Sequence, residues 1–596
     1  MKPRTENLAL LPCPRLVQRL PGTLRQPVEH GIPRFTVLQS DSAPDHPEGY
    51  AITISRKEIK IEFREPAGVG VAMATMRQLL RQYGRHLPCL KIRDWPDFSR
   101  RGVMLDVSRG RVPRLETLLK LAEHLADFKI NELQLYTEHT FAYAKYKPVW
   151  RDWGALTGEE IRELDARCRQ LGIDLVPNQN SFGHLRYFLE HPRLRKLAEV
   201  AKPYPDYSGE FIRRPSTLSP EHPGTLPFLR GLYNELLPNF SSGFFNVGCD
   251  ETWDLGRGQS KKLCAVKGQG RVYLDFLGKI HREVSARGEC MMFWGDIILK
   301  YPKLIQELPR NLIALNWGYE ANHPFDREAA LFAKAKIPFY VCPGTSAWQT
   351  LIGRHDNALA NLRAAAQAGR KYGAVGYLIT DWGDGGHPQP LAVSYLPWLA
   401  GASLAWCAET FDESKLIPVL SREIFKDPTG NAAKAAWAFG LAHQKLNFNV
   451  PNETPLGTVI AAPPSEQQEL FCRYGLKHHQ WIFGNNIRAT LKEIEKQRAL
   501  LRRAKPSNKA GQLLLRELDM AARMAAQSCR IMLWQQARAV GNRSEANRLA
   551  RTGIRELQKL EKDFNAYWPL RNKATPKHCS AFLKWRMNDL VKWLKS

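Results

Sequence analysis

Between Arg101 and about residue 410, short apolar runs alternate with amphipathic stretches, and this alternation restricts the fold more than any other feature. Residues 102–107 read as a strand. Residues 115–128 then place Leu118, Leu121, Ala122 and Leu125 on one helical face. The same sequence of strand and helix recurs. Strands are expected at 132–136, 173–177, 244–247, 289–294, 312–317, 337–342 and 375–380, with helices at 158–171, at 228–237 and near Leu396. Eight such units in about 310 residues specify an α/β fold of the (β/α)8 barrel type. A doubly wound open sheet is the alternative, but no glycine-rich phosphate turn follows the first strand.

The flanks have a different grain. Residues 1–97 read as a small α/β domain, with hairpin strands at 50–55 and 58–63. A helix over 69–83 carries Val71, Met73, Met76, Leu79 and Leu80. Residues 91–101 read as an extended link, held open by Pro96. Residues 411–596 are expected to be helical, over 466–503, 510–540, 545–568 and a tail at 582–594 with Trp585 and Trp593. The chain thus divides at 1–97, 98–410 and 411–596.

The apolar fraction of 44% describes a globular chain, and 596 residues are too many for one core. Eleven scattered cysteines without a CxxC pair fit reduced thiols better than disulfides or structural zinc, so no metal or cofactor is expected. No apolar run reaches the roughly eighteen residues of a membrane span. The basic start at residues 1–6 meets only a brief apolar patch before Pro12. That is a poor signal peptide, and a cytoplasmic location is the expectation. The formal charge of +27 is densest after about residue 410. It suits an anionic partner or an acidic polymer, or is a habit of composition; no nucleic-acid motif accompanies it.

A barrel places its chemistry at the C-terminal ends of its strands. Those positions hold Arg109, Glu138 with His139, Asn180 with His184, Asp250 with Glu251, Trp294 with Asp296, Trp317, Trp348, and Trp382 with Asp384. A single tryptophan there reads as core; four at successive strand ends, among carboxylates, read as a sugar pocket. In a regular strand Asp250 and Glu251 would point to opposite faces, and only at a strand end can both enter one pocket. Metal-dependent hydrolysis through His139 and His184 lacks a ligand spacing such as HxxxH.

These residues resemble glycoside hydrolase family 20, the β-N-acetylhexosaminidases, over roughly residues 50–410. Asn246-Val247-Gly248-Cys249-Asp250-Glu251 is similar to the family's Gly-Gly/Ala-Asp-Glu signature. Residues 101–109 look like its first strand with a terminal arginine, 181–184 like its Pro-Gly-His, and 382–384 like its Trp-x-Glu. The resemblance implies a retaining exo-hydrolase of terminal β-linked GlcNAc or GalNAc, with the substrate's acetamide as nucleophile and an oxazolinium intermediate. Glu251 would be acid and base, and Asp250 would hold the acetamide. Trp294, Trp317, Trp348 and Trp382 would enclose the sugar. Arg109 and Asp384 would bind hydroxyls, and His184, with Glu138, would support Glu251. The sequence departs from the family at Asn246, where histidine is usual, at Cys249, and at Asp384, which is shorter than glutamate. The family's acetamide-binding tyrosine has no clean match after strand seven, in residues 344–348; Trp348, or a tyrosine from elsewhere such as Tyr319, would stand in. The charge and these departures leave a second reading, a non-catalytic protein on the same fold that binds sulfated or acidic glycans.

Overall fold

The computed structural model describes residues 8–25, 28–29, 32–33, 35–205, 212–462 and 482–596. The basic chain start, residues 1–6, and the part of the expected helix that falls at 466–481 lie outside the described residues.

The N-terminal domain is a five-stranded sheet in the spatial order Leu16–Arg25, His86–Asp94, Tyr50–Ile54, Ile59–Phe63, Thr36–Gln39. Tyr50–Ile54 and Ile59–Phe63 pair antiparallel as the expected hairpin. The helix Ala67–Tyr83 lays Val71, Met76 and Leu79 on the sheet. One expectation is corrected here: residues 91–94 are the end of a central strand rather than part of a link. Pro88 argues against a strand on sequence grounds, because proline cannot donate to a ladder. It is tolerated where the partner Leu16–Arg25 slips register between Arg19 and Thr23, with Thr23 opposite Pro88.

Eight parallel strands then form the barrel: Arg100–Asp106, Glu132–Tyr136, Asp174–Val176, Phe244–Asn246, Cys290–Trp294, Leu312–Trp317, Phe339–Cys342 and Gly376–Asp381. The eighth pairs with the first. The third and fourth close the ring through Asn178 and Asn246, where Asn246 N–H donates to Pro177 O (2.9 Å) and Gln179 N–H to Asn246 O (3.0 Å). Period two divides every strand. Met104, Val176, Met292, Leu315, Tyr340 and Leu378 fill the interior. Val103, Leu133, Leu175, Met291, Ala314 and Val341 pack outward under the helices. Polar residues across the lower interior are fully connected. Glu132 receives Arg100 (2.7 Å), Gln134 (2.7 Å) and Tyr340 (3.0 Å), and Gln134 accepts from Asn246 Nδ2 (2.8 Å).

Helices Gly484–Leu501, Lys509–Ala539, Arg543–Tyr567 and Lys577–Lys595 follow the barrel. They grip the loop after the first strand, as Arg114 N–H donates to Arg571 O (2.9 Å) and Lys573 N–H to Val112 O (2.8 Å). Lys573 Nζ also pairs with Glu160 (2.6 Å). Among the described residues no helix is long and apolar enough to cross a membrane.

A buried polar seam joins the N-terminal domain to the barrel. Arg101 donates to both oxygens of Glu48 (2.7 and 2.6 Å), while Asp94 receives Lys129 (2.8 Å) and the Trp406 indole N–H (2.9 Å). Glu48→Ala strands a guanidinium that is fully buried. We expect a loss of about 3–5 kcal/mol, read as a lower urea midpoint, and recovery of most of it when Glu48 and Arg101 are both replaced by methionine.

Candidate active site

The fourth strand ends in a turn that regular geometry does not supply. Gly248, Cys249 and Glu251 have φ of 68°, 71° and 46°. Only glycine fits at the first, since a Cβ there would lie 1.8 Å from Asn180 Oδ1. The two non-glycine residues each cost on the order of 1–3 kcal/mol, and their surroundings hold them in place. Tyr273 OH donates to Cys249 O (2.9 Å), Trp294 N–H to Gly248 O (2.9 Å), and Glu251 N–H to Asp296 Oδ2 (3.2 Å). As a result both carboxylates face one imidazole. His184 Nε2 lies 3.2 Å from Asp250 Oδ2 and 3.3 Å from Glu251 Oε2. Burial by itself would depress the His184 pKa; the two carboxylates outweigh burial and raise it well above its ordinary value. Gly183, beside it, has no room for a side chain, because a Cβ would meet Asp250 O at 2.3 Å.

Arg109 anchors the opposite wall. It reaches Asp106 (2.8 Å), Asp384 (3.1 Å) and Glu138 (3.3 Å), and its guanidinium lies over the rings of Tyr136 and Trp382. Tyr136 OH donates to Glu138 Oε1 (3.0 Å) and accepts from Asn180 Nδ2 (2.7 Å), and His184 Nδ1 is 3.7 Å from Glu138. Burial lifts the Asp384 carboxyl to about 6, against the pull of Arg109, and it lifts Glu138 as well.

Aromatic rings line the remainder. Trp382 meets Tyr136 at 4.7 Å and Trp294 at 5.7 Å; Trp317 stacks on Tyr319 at 5.1 Å. Tyr319 also touches Trp382 (6.3 Å) and stands edge-on to Trp348 (5.0 Å). Among the described residues the buried Asp250 Oδ1 and the indole nitrogens of Trp294 and Trp317 have no hydrogen-bond partner. Such atoms call for a ligand or water.

The ten residues to which the resemblance gives a role therefore lie at this end of the barrel, but not on equal terms. Trp348 is 1% exposed and its indole N–H is taken by Asn452 Oδ1 (3.1 Å), which leaves Tyr319 as the ring in contact with both Trp317 and Trp382. His139 stands apart, packed on Tyr187 and Trp153. Asn246 and Cys249 are fully buried; Asn246 bonds Gln134 and Gly248 N–H beneath the site, and the Cys249 thiol turns to Val247 O. Two site residues escaped the sequence reading. Asp106 accepts from Arg109 and from Gly383 N–H (2.9 Å), and Tyr136 bridges Glu138 and Asn180. Inward alternation from Met104 and Gln134 would have identified both.

Two models of glycosyl hydrolase family 20 match the sequence, the catalytic domain over residues 98–348 and domain 2 over residues 10–95. Together they take in more than half of the protein, which belongs to glycoside hydrolase family 20. A beta-hexosaminidase of Vibrio furnissii is 31% identical over 235 residues, 34% of this chain and 38% of that one. A beta-hexosaminidase of Akkermansia muciniphila is 26% identical over 277 residues, 42% and 55% of the two chains. The chain thus spans about half or less of these relatives. In fold it is similar to a beta-N-acetylhexosaminidase from Bacteroides fragilis (TM-score 0.57, 19% identity, 70% of this chain and 95% of that one). A chitobiase of Flavobacterium johnsoniae aligns over 96% of this chain and 99% of its own, at TM-score 0.57 and 16% identity.

Asp296 adds a third acid beneath the pair. Burial, then the charges of Asp250 and Glu251, push its carboxyl up to about 8. A carboxyl with a pKa near 3.9 in the unfolded chain thus binds more protons when folded. Its contribution to stability is complete below about pH 4 and is lost as the pH rises to about 8. Asp296→Asn, which cannot titrate, should lose less stability than the wild type across that window, measured by thermal unfolding. Parallel curves for the two proteins would remove Asp296 from this role.

Proposed function

We propose that this protein is a retaining exo-β-N-acetylhexosaminidase that cleaves terminal β-linked GlcNAc or GalNAc with the help of the substrate's 2-acetamido group. The observation that carries this reading is the unequal carboxylate pair. Asp250 and Glu251 leave one strand end side by side, and the buried Oδ1 of Asp250 has no partner among the described residues. Two adjacent carboxylates do not form the opposed arrangement in which one attacks C1 while the other protonates the leaving group. In glycoside hydrolase family 20 the substrate's own acetamide is the nucleophile, and the side-by-side pair suits that role here. The relatives named as beta-hexosaminidases support the same class of substrate.

In the first step the acetamido N–H donates to Asp250, whose negative charge steadies the group as it becomes cationic. The acetamide oxygen attacks C1 from within the same molecule, which removes the entropic cost of bringing a nucleophile in. The C1–O bond breaks as Glu251 gives its proton to the leaving oxygen. In the second step Glu251 takes a proton from water, which attacks C1 and reopens the ring. Two inversions at C1 give net retention. His184, within reach of both carboxylates, favours the charged form of Asp250 throughout and of Glu251 between the two steps, after it has given up its proton. Arg109 and Asp384, already paired, offer a donor and an acceptor to sugar hydroxyls, and Glu138 fixes Arg109 and His184 from behind. Trp294, Trp317 and Trp382 box the acetamide, and Tyr319, which follows the sixth strand and touches Trp317 and Trp382, stands in for the tyrosine the family carries after strand seven.

Release of 4-nitrophenol from β-GlcNAc and β-GalNAc aryl glycosides tests the reading. Glu251→Gln should lower kcat on the order of a hundredfold or more, and the loss should be larger for a disaccharide, whose leaving oxygen needs the proton more. Asp250→Asn should cost on the order of a hundredfold and weaken binding of a thiazoline mimic of the intermediate. Binding of glycans without product release would instead favour the non-catalytic reading, and unchanged turnover in Glu251→Gln would move the acid to another residue.

A further inference from the structure

A cavity of about 330 Å³ lies where the N-terminal domain, the barrel helices and the C-terminal helices meet, and none of the residues lining it belongs to the strand-end site. Six lining side chains are guanidinium or ammonium groups: Arg77, Arg81, Lys120, Arg167, Lys426 and Arg571. Three are carboxylates, and each of these is already shared between two cations. Asp127 takes Arg77 (2.6 Å) and Arg81 (2.8 Å); Glu123 takes Lys120 (2.6 Å) and Arg167 (3.0 Å). Glu423 takes Arg81 (2.6 Å) and Arg422 (2.6 Å). Arg571 is paired with Glu517 (2.7 Å), which is not part of the lining.

Lys426 is the exception. Among the described residues its ammonium has neither an ion-pair partner nor a hydrogen-bond acceptor. Its backbone sits at φ 52°, a region lysine rarely adopts, and Ser507 N–H bonds its carbonyl at 2.9 Å. Burial lowers the Lys426 pKa, and the nearby Arg81 and Lys120 add to this against Glu423 and Asp127. In the same wall burial, and then Lys120, drive His124 down to about 3. It therefore stays neutral and does not add to the surplus. That surplus of positive charge faces a partly enclosed space whose other walls include Leu171, Ile424 and Leu514. Asn508, the N-cap whose Oδ1 accepts from Gly511 N–H (2.8 Å), and Ala510 also line it, at the start of the 31-residue helix Lys509–Ala539, whose dipole has the same sign.

We propose that this cavity binds a phosphate or sulfate group, free or carried as an ester on a small molecule, with Lys426 as the principal contact and Lys120 and Arg81 beside it. Such an anion would complete the charge balance of the junction and tie the three parts of the chain together.

The test is calorimetric titration of the full chain at constant ionic strength with inorganic phosphate, with glucose 6-phosphate and with chloride. At least one of the two phosphates should bind saturably and raise the unfolding temperature in proportion to occupancy. Tighter binding of glucose 6-phosphate assigns the site to an ester, and tighter binding of inorganic phosphate assigns it to the free anion. Lys426→Ala should weaken binding about tenfold, the value of one charge-assisted contact, and Glu251→Gln should leave it unchanged. A selenate soak should place an anomalous peak beside Lys426, independently of any variant. Equal affinity in Lys426→Ala, an equal effect of chloride, or no selenate in the cavity would overturn the proposal.

Discussion

The backbone closure of the barrel between its third and fourth strands governs the geometry of the site. These are the shortest strands of the eight, Asp174–Val176 and Phe244–Asn246, and two hydrogen bonds at Asn246 join them. The Asn246 side chain holds the turn above the join, accepting from Gly248 N–H (3.0 Å), and reaches the second strand by donating to Gln134 (2.8 Å). The turns that carry His184 and the Asp250–Glu251 pair leave the barrel just above this point. Gly183 and Gly248 let those turns approach until no side chain would fit between them. A barrel open at this seam would have the same residues and no common pocket.

Above the seam, charge is the second constraint. Asp106, Glu138, Asp250, Glu251, Asp296 and Asp384 crowd around two cations, Arg109 and His184. In so little water the acids cannot all ionise at equal cost. Burial pushes Asp296 up to about 8, with the charges of Asp250 and Glu251 adding to it. Burial also lifts Asp384 to about 6 against the pull of Arg109, and lifts Glu138 as well, whereas the carboxylates raise His184. The repulsion is thereby spread over side chains around the pair, and Asp250 and Glu251 can stand next to each other on consecutive residues.

The outer parts of the chain support this arrangement from two sides. The N-terminal sheet meets the barrel through Arg101, Lys129 and Trp406, and the C-terminal helices hold the loop after the first strand, which carries Arg109. The excess of basic residues after about residue 410 thus has a structural address in part. Arg571 and Lys573 make contacts with the barrel, and Lys426 faces the cavity between the domains.

The sequence by itself determined the strand–helix alternation, the eight-fold count and the identity of the residues at the strand ends, because side-chain period and apolar content act over a few neighbours. Residues 132–136 and 312–317 are strands with the bounds their alternation implies. Tertiary structure decided what each strand end does. Asp106 and Tyr136, the last residues of the first two strands, point inward by simple alternation, but only the closed ring brings them to Arg109, Glu138 and Asn180. It also buries Asn246 and Cys249 below the pocket and gives the Trp348 indole to Asn452, so that Tyr319 contacts the other rings instead. Pro88 shows the same division, since a proline that breaks a strand locally is accepted where the partner strand bulges. Local pattern places a residue at the end of a strand; only closure of the ring, with the left-handed turn it imposes at Gly248 and Cys249, sets which atoms face the pocket.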